Sequence, residues 1–153
     1  MKKILVLVLA VCVAGCSTAQ IPPYVADKNP LKKRFYATFA TARPAVEKAL
    51  QELGWTVAEA VDPLVYEQSE TNDLTEQQLL LVTNVRQTPR LLTPRYARLN
   101  VFLRSQKNVS EVEIRYLTIT SVAVKNFNNY GDAAILGSIM ARIEAALGGK
   151  ILE

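Results

Sequence analysis

The chain has 153 residues, half of them hydrophobic, with 18 basic residues against 14 acidic ones and no histidine. Lack of histidine removes the commonest general base and the commonest transition-metal ligand. Both cysteines, Cys12 and Cys16, lie at the N-terminus, so the rest of the chain offers no thiol nucleophile, disulfide or cysteine zinc site.

In chain order, Lys2 and Lys3 form a short basic start, and Ile4 to Val13 is an apolar run without charge. The run falls short of the roughly 20 residues needed to span a bilayer as a helix. A basic start, a short apolar run and small residues at its end describe a secretory signal. Here they lead into Val13-Ala14-Gly15-Cys16, which resembles the lipobox of bacterial lipoproteins. The resemblance implies cleavage between Gly15 and Cys16 and a lipid on the Cys16 thiol. Cys12, preceded by the bulky Val11, leaves with the signal. Two or more acyl chains would anchor the protein stably without a transmembrane helix. Ser17 resembles the usual residue for sorting to the outer membrane, where a lipid-anchored protein is expected, with the periplasmic face the favoured of the two.

Residues 1–15 are therefore expected to be a signal peptide, and residues 16–31 the lipidated cysteine and a tether. The tether carries Pro22-Pro23 and Pro30 and lacks apolar periodicity. Residues 32–148 read as one domain, and 149–153 as a tail. Lys32 to Ala40 suggests a first strand through Phe35. Thr41 is placed as an N-cap with Pro44 in the first turn. Val46, Ala49, Leu50 and Leu53 then recur at helical spacing, and Gly54 closes the helix.

Trp55 and Val57 open a strand ending near Asp62-Pro63, a turn pair, and Leu64 to Gln68 reads as the next strand. Gln77 to Arg86 contains the run Leu79-Leu80-Leu81-Val82, which suits a buried strand. The prolines of Gln87 to Pro94 make that segment a loop. Ala97, Leu99, Val101 and Leu103 alternate with Arg98, Asn100 and Arg104. Val112, Ile114 and Tyr116 alternate with Glu111, Glu113 and Arg115. Period-two patterning with one wet face predicts antiparallel sheet. Asn126 to Gly131 reads as a loop. Asp132 is expected to cap a last helix bearing Ile135, Ile139, Ile143 and Leu147, stopped at Gly148-Gly149. The expected fold is α+β: a two-layer sandwich of four to five antiparallel strands with two helices on one face.

No Gly-rich phosphate loop and no Gly-x-Ser-x-Gly elbow occurs. Glu59, Asp62, Glu67, Glu70, Asp73 and Glu76 could supply a carboxylate pair for glycoside chemistry, or form a solvated face. Charge is more informative. Seven acids and no base lie between Lys48 and Arg86: these six and Glu52. Six bases and no acid lie between Glu76 and Glu111: Arg86, Arg90, Arg95, Arg98, Arg104 and Lys107. Two readings stand: cross-strand pairing of opposite charges, or an anion-binding patch of Arg90, Arg95, Arg98 and Arg104. Phe127 and Tyr130, set among asparagines, are a candidate recognition loop or a plug for the sheet end.

Ala49-Leu50, Leu53-Gly54-Trp55 and Val57, at a helix–strand joint followed by antiparallel strands and a closing helix, resemble the helix-grip domains of the C subunit of the β-barrel assembly machine. The likeness covers about residues 34 to 147. It implies a non-catalytic accessory module in an envelope assembly or transport complex. An alternative is a binder of an anionic amphiphile such as lipopolysaccharide. A third is an envelope hydrolase. Besides the membrane reached through Cys16, an envelope protein complex is the expected partner, and no cofactor, metal or nucleic acid is implied.

Overall fold

The computed structural model describes residues 21–67, 77–88, 95–122, 125–149 and 151–152. The signal, the lipobox, Glu70, Asp73, Glu76 and Arg90 lie outside these residues.

The spine of the molecule is a long hairpin. Strand β5 (Arg95–Gln106) pairs antiparallel along its whole length with β6 (Val109–Val122), through a turn in which Lys107 takes a positive φ of 53°. The remaining strands are β1 (Leu31–Phe35), β2 (Val57–Val61), β3 (Gln77–Thr83), β4 (Arg86–Thr88), β7 (Lys125–Tyr130) and β8 (Ile151–Leu152). The sheet order is β2-β3-β5-β6-β1-β8, with β4 also paired to β5 and β7 to β6. The hairpin thus has two halves. Near its turn it is flanked by β3 and β1; at its far end it is flanked by β4 and β7.

Helices α1 (Phe39–Glu52) and α2 (Ala133–Ala146) cover one face. Ala42, Val46, Ala49 and Leu50 of α1 and Leu136, Ile139, Met140 and Ile143 of α2 meet the inward residues of the hairpin. Those residues are Ala97, Leu99, Val101 and Leu103 on β5 with Val112, Ile114 and Tyr116 on β6. The period-two reading therefore holds for the core face. Asp132 caps α2, accepting from the Ile135 N–H at 3.2 Å. Gly54, just past α1, and Gly148, just past α2, both take φ of +75°, a region that suits glycine at a helix end. The α+β two-layer architecture stands, with more strands than the four or five expected.

Several local expectations change. The helix α1 starts at Phe39, and Thr41 sits in its first turn with its hydroxyl on the Thr38 carbonyl at 2.9 Å. The first strand accordingly stops at Phe35. Pro63 opens a 3₁₀ turn over Pro63–Val65, capped by the Asp62 carboxylate on the Leu64 N–H, so no strand starts at Leu64. Gln68 lies outside the described residues. Arg86 to Thr88 forms the separate strand β4, which takes the start of the expected proline loop; residues 89–94 are not described. Asn126 to Tyr130 is strand, because pairing with Leu117–Ser121 overrides the poor strand propensity of asparagine. The presumed tail supplies β8, paired to Arg34 and Phe35.

The largest correction concerns the face away from the helices. It is covered rather than wet. Leu80, Val82 and Phe102 form a second apolar cluster there with Tyr24, Val61 and Tyr66. Val25, fully buried, packs on Leu117 and Ile119 together with Ile21. Residues 21–25, expected to be part of a free tether, are thus a strap across the sheet.

Candidate functional site

Opposed residues of an antiparallel pair share a face. The hairpin register therefore stacks Arg104/Glu111, Phe102/Glu113, Asn100/Arg115, Arg98/Leu117 and Tyr96/Ile119 on the outer face. Lys32 joins them from β1, opposite Glu113. Glu67 arrives from the segment after the 3₁₀ turn, and Tyr24 from the strap. Of these, Lys32, Glu67, Arg104, Glu113, Arg115 and Tyr24 make one connected network.

Glu113, 1 % exposed, accepts from Arg115 Nε at 2.6 Å on one oxygen, and from Arg104 Nη1 at 2.9 Å and Lys32 Nζ at 3.0 Å on the other. Glu67 accepts from Arg115 Nη1 at 2.7 Å, from Arg104 Nη2 at 3.2 Å and from the Tyr24 hydroxyl at 2.6 Å. Arg115 Nη1 also donates to the Tyr24 oxygen at 2.6 Å. The Phe102 ring lies beneath both guanidinium groups, 4.1 Å from that of Arg115 and 5.1 Å from that of Arg104. Tyr24 stacks on Tyr66 at 5.3 Å and meets Phe102 edge-on at 6.4 Å.

Burial alone would raise the Glu113 carboxyl pKa. Hydrogen bonds from Arg104 and Lys32 and the charge of Arg115 outweigh it and hold the group below the ordinary carboxylate range. Burial would likewise lower Arg115, but Glu113 and Glu67 raise it. The Tyr24 phenol is pushed up by burial and by its bond to Glu67. Each group is thus fixed in its ordinary charge state. A general acid needs a carboxyl poised near the working pH, and Glu113 is driven the other way.

Asn100, fully buried, fastens the strap. Its Oδ1 accepts from the Val25 N–H, and its Nδ2 donates to the Pro23 carbonyl at 3.0 Å. Arg98 Nη1 donates to the Ile21 carbonyl at 3.2 Å. Arg98 Nε is a buried side-chain nitrogen without a partner, and burial lowers the guanidinium pKa.

The three described arginines of the expected anion patch, Arg95, Arg98 and Arg104, do not form a line. Arg104 is consumed by Glu67 and Glu113. Arg98 holds the strap. Arg95 falls on the opposite, helix-side face by strand alternation, 4.0 Å from the Asp132 carboxylate and 3.3 Å from the Thr118 hydroxyl. Arg90 is not among the described residues. Opposite charges of the two blocks do meet at Arg104 and Glu67, although Glu67 follows the 3₁₀ turn and does not lie on a neighbouring strand. Phe127 and Tyr130, 54 % and 46 % exposed, sit on β7 opposite Thr120 and Leu117, and so on opposite faces of the sheet. Of the candidate acids, Glu59 lies exposed on β2, Asp62 caps the turn and Glu67 belongs to the network.

On the helix side, Leu53, Trp55, Arg86, Ala134, Ile135, Ser138 and Ile139 line an open groove of about 250 Å³. The Arg86 guanidinium lies 5.5 Å from the Trp55 ring and donates to the Leu53 carbonyl at 3.2 Å. Ligand pockets are ordinarily about 300–1,000 Å³, so this groove suits one side chain of a partner better than a whole amphiphile. Among the described residues, no helix is long and apolar enough to cross a membrane.

Sequence reading missed Tyr24, Glu67, Asn100, Glu113 and Arg115 as a unit. The available signal was Tyr24-Val25, two large side chains in an otherwise polar, proline-rich segment, together with the alternation of charged and apolar residues along Glu111 to Arg115. No protein-family model and no curated protein matches the chain.

Proposed function

We propose that the chain is a lipid-anchored outer-membrane lipoprotein whose domain is a non-catalytic interaction module of an envelope assembly or transport complex. The observation that carries this reading is the run from Met1 to Cys16: a basic start, a charge-free apolar stretch and Val13-Ala14-Gly15-Cys16. The strap supports it, since Ile21, only five positions after the cysteine, packs with Val25 on Leu117 and Ile119 and so ties the segment next to the lipid site to the domain. The charge network supports the non-catalytic part. Its two carboxylates are each held by two arginines and sealed under Tyr24, an arrangement that locks the sheet together rather than leaving a reactive group at a cleft.

Replacing Cys16 by Ser tests the reading. The wild-type protein, expressed in a Gram-negative host, should incorporate a palmitate analogue and sediment with membranes. The Cys16→Ser variant should not label, and should either accumulate as uncut precursor or leave the membrane fraction. A variant that labels and sediments like wild type contradicts the anchor.

A further inference from the structure

We infer that the groove at Trp55 and Arg86 is a docking site for a partner polypeptide, which inserts one bulky apolar side chain and pairs a neighbouring carboxylate with Arg86. The inference rests on the interaction-module part of the reading above and is independent of the lipid anchor.

The first argument is charge. Of the described arginines, Arg34, Arg43, Arg95, Arg104, Arg115 and Arg142 each lie within 4.0 Å of a carboxylate. Arg98 holds the strap. Arg86 is exposed and has no carboxylate partner among the described residues. The acids that flank the groove residues in sequence are already engaged. Glu52 meets Lys48 and Arg142, and Asp132 meets the Ile135 N–H and Arg95. The groove is left with an unanswered cation, so its complement carries an acid.

The second argument is geometry. Arg86 is placed by the pairing of β4 with Ala97. Its guanidinium is held at the Trp55 ring, 5.5 Å away, and by the Leu53 carbonyl at the end of α1, 3.2 Å away. A cation at a helix C-terminus is favourable in itself. That contact uses one of the five N–H groups of a guanidinium. The exposed remainder is pre-positioned for a carboxylate, which a guanidinium grips with two parallel hydrogen bonds, and little side-chain ordering is left to oppose binding.

The third argument is the apolar lining. Trp55 and Ile139 are buried and form the floor, while Leu53 and Ile135 are only half-buried. Ala134 and Ser138, neighbours one turn apart on α2, are too short to close the groove. An inserted aliphatic or aromatic side chain would remove this apolar surface from water. An open space of about 250 Å³ is below the range of small-molecule pockets and would leave most of an acyl chain in water, so a side chain of a polypeptide fits where a fatty acid does not. Tryptophan and arginine set together in a pocket are also the residues that carry most binding energy at protein interfaces.

The test selects random short peptides displayed on phage against the full-length protein, purified in mild detergent and immobilised. The recovered sequences should share a bulky apolar residue beside an Asp or Glu. Synthetic copies, followed by fluorescence anisotropy, should bind about tenfold or more weaker to Arg86→Glu and to Ser138→Trp, which fills the groove from an exposed helix position. Changing the peptide's acid to its amide should weaken binding to the wild type and not to Arg86→Glu. Circular dichroism checks that both variants fold; if Arg86→Glu does not, Ser138→Trp and the amide peptide decide. Peptides without an acid, or peptides whose binding the folded variants do not weaken, overturn the groove and move the partner to another face. A selection that recovers no binding peptide overturns the groove and the interaction-module reading together, and the Cys16→Ser experiment still judges the anchor by itself.

Discussion

At Glu113 a carboxylate with almost no access to water remains charged because three cations converge on it. Its pKa is lowered in the fold relative to about 4.3 when unfolded. The linked stability is therefore fully present above the unfolded value and is lost as pH falls through the folded one. Acid titration of the melting temperature should show a decline beginning below about pH 5. In Glu113→Gln that decline should be shallower, on a protein already weakened at neutral pH, since breaking a buried pair costs about 3–5 kcal/mol. An unchanged acid limb would assign the pH dependence to other carboxylates. Arg104→Glu is the harsher change. It would set three carboxylates together on the Phe102 ring and should prevent cooperative folding or lower the melting temperature by well over 10 °C, readable by circular dichroism. A variant of normal stability would return Arg104 to the surface role first read from sequence.

Element by element, the strap is the part that alters the picture of the molecule. Residues 21–25 cover Leu117, Ile119 and Phe102 and close the charge network with the Tyr24 hydroxyl. Burying Val25 contributes roughly 1.5–3 kcal/mol, and the partly buried Tyr24 ring adds less. A soluble chain beginning at Leu31 should therefore unfold at clearly lower denaturant concentration than one beginning at Ser17, by about 2–4 kcal/mol on the same scale. Equal midpoints would make the strap an ornament. Its role was hidden in the sequence for a physical reason. Five residues crossing a sheet with two prolines have no period, and their hydrogen bonds go to Asn100 and Arg98, more than 70 residues away.

The hairpin was the most legible element, because residues Ala97 to Arg104 and Glu111 to Tyr116 repeat with period two and one side is apolar throughout. The same pattern misled about the other side. Arginine and glutamate look like solvent-facing residues until a partner of opposite charge and a covering segment arrive from distant sequence. β7 was missed because its strand character comes from β6 and not from its own asparagines. Of the candidate site, Arg98 and Arg104 were placed on the correct face. Arg95, grouped with them only from its place beside the proline loop, falls on the helix side with Leu99.

As a whole, the molecule is a two-layer domain whose two ends differ. One end is the hairpin turn, with charges of both signs. The other carries basic residues, two exposed aromatics and the entry of the strap. On the proposed reading, a lipid on Cys16 holds the domain at the outer membrane through the strap that begins at Ile21. The steps of that reading begin at one atom, the Cys16 sulfur. Intact and peptide-level mass spectrometry of the protein extracted from membranes tests it most directly. The mature chain should begin at Cys16, and its first peptide should carry a diacylglyceryl group on that residue. A mature chain beginning at another residue, or an unmodified Cys16, would contradict it.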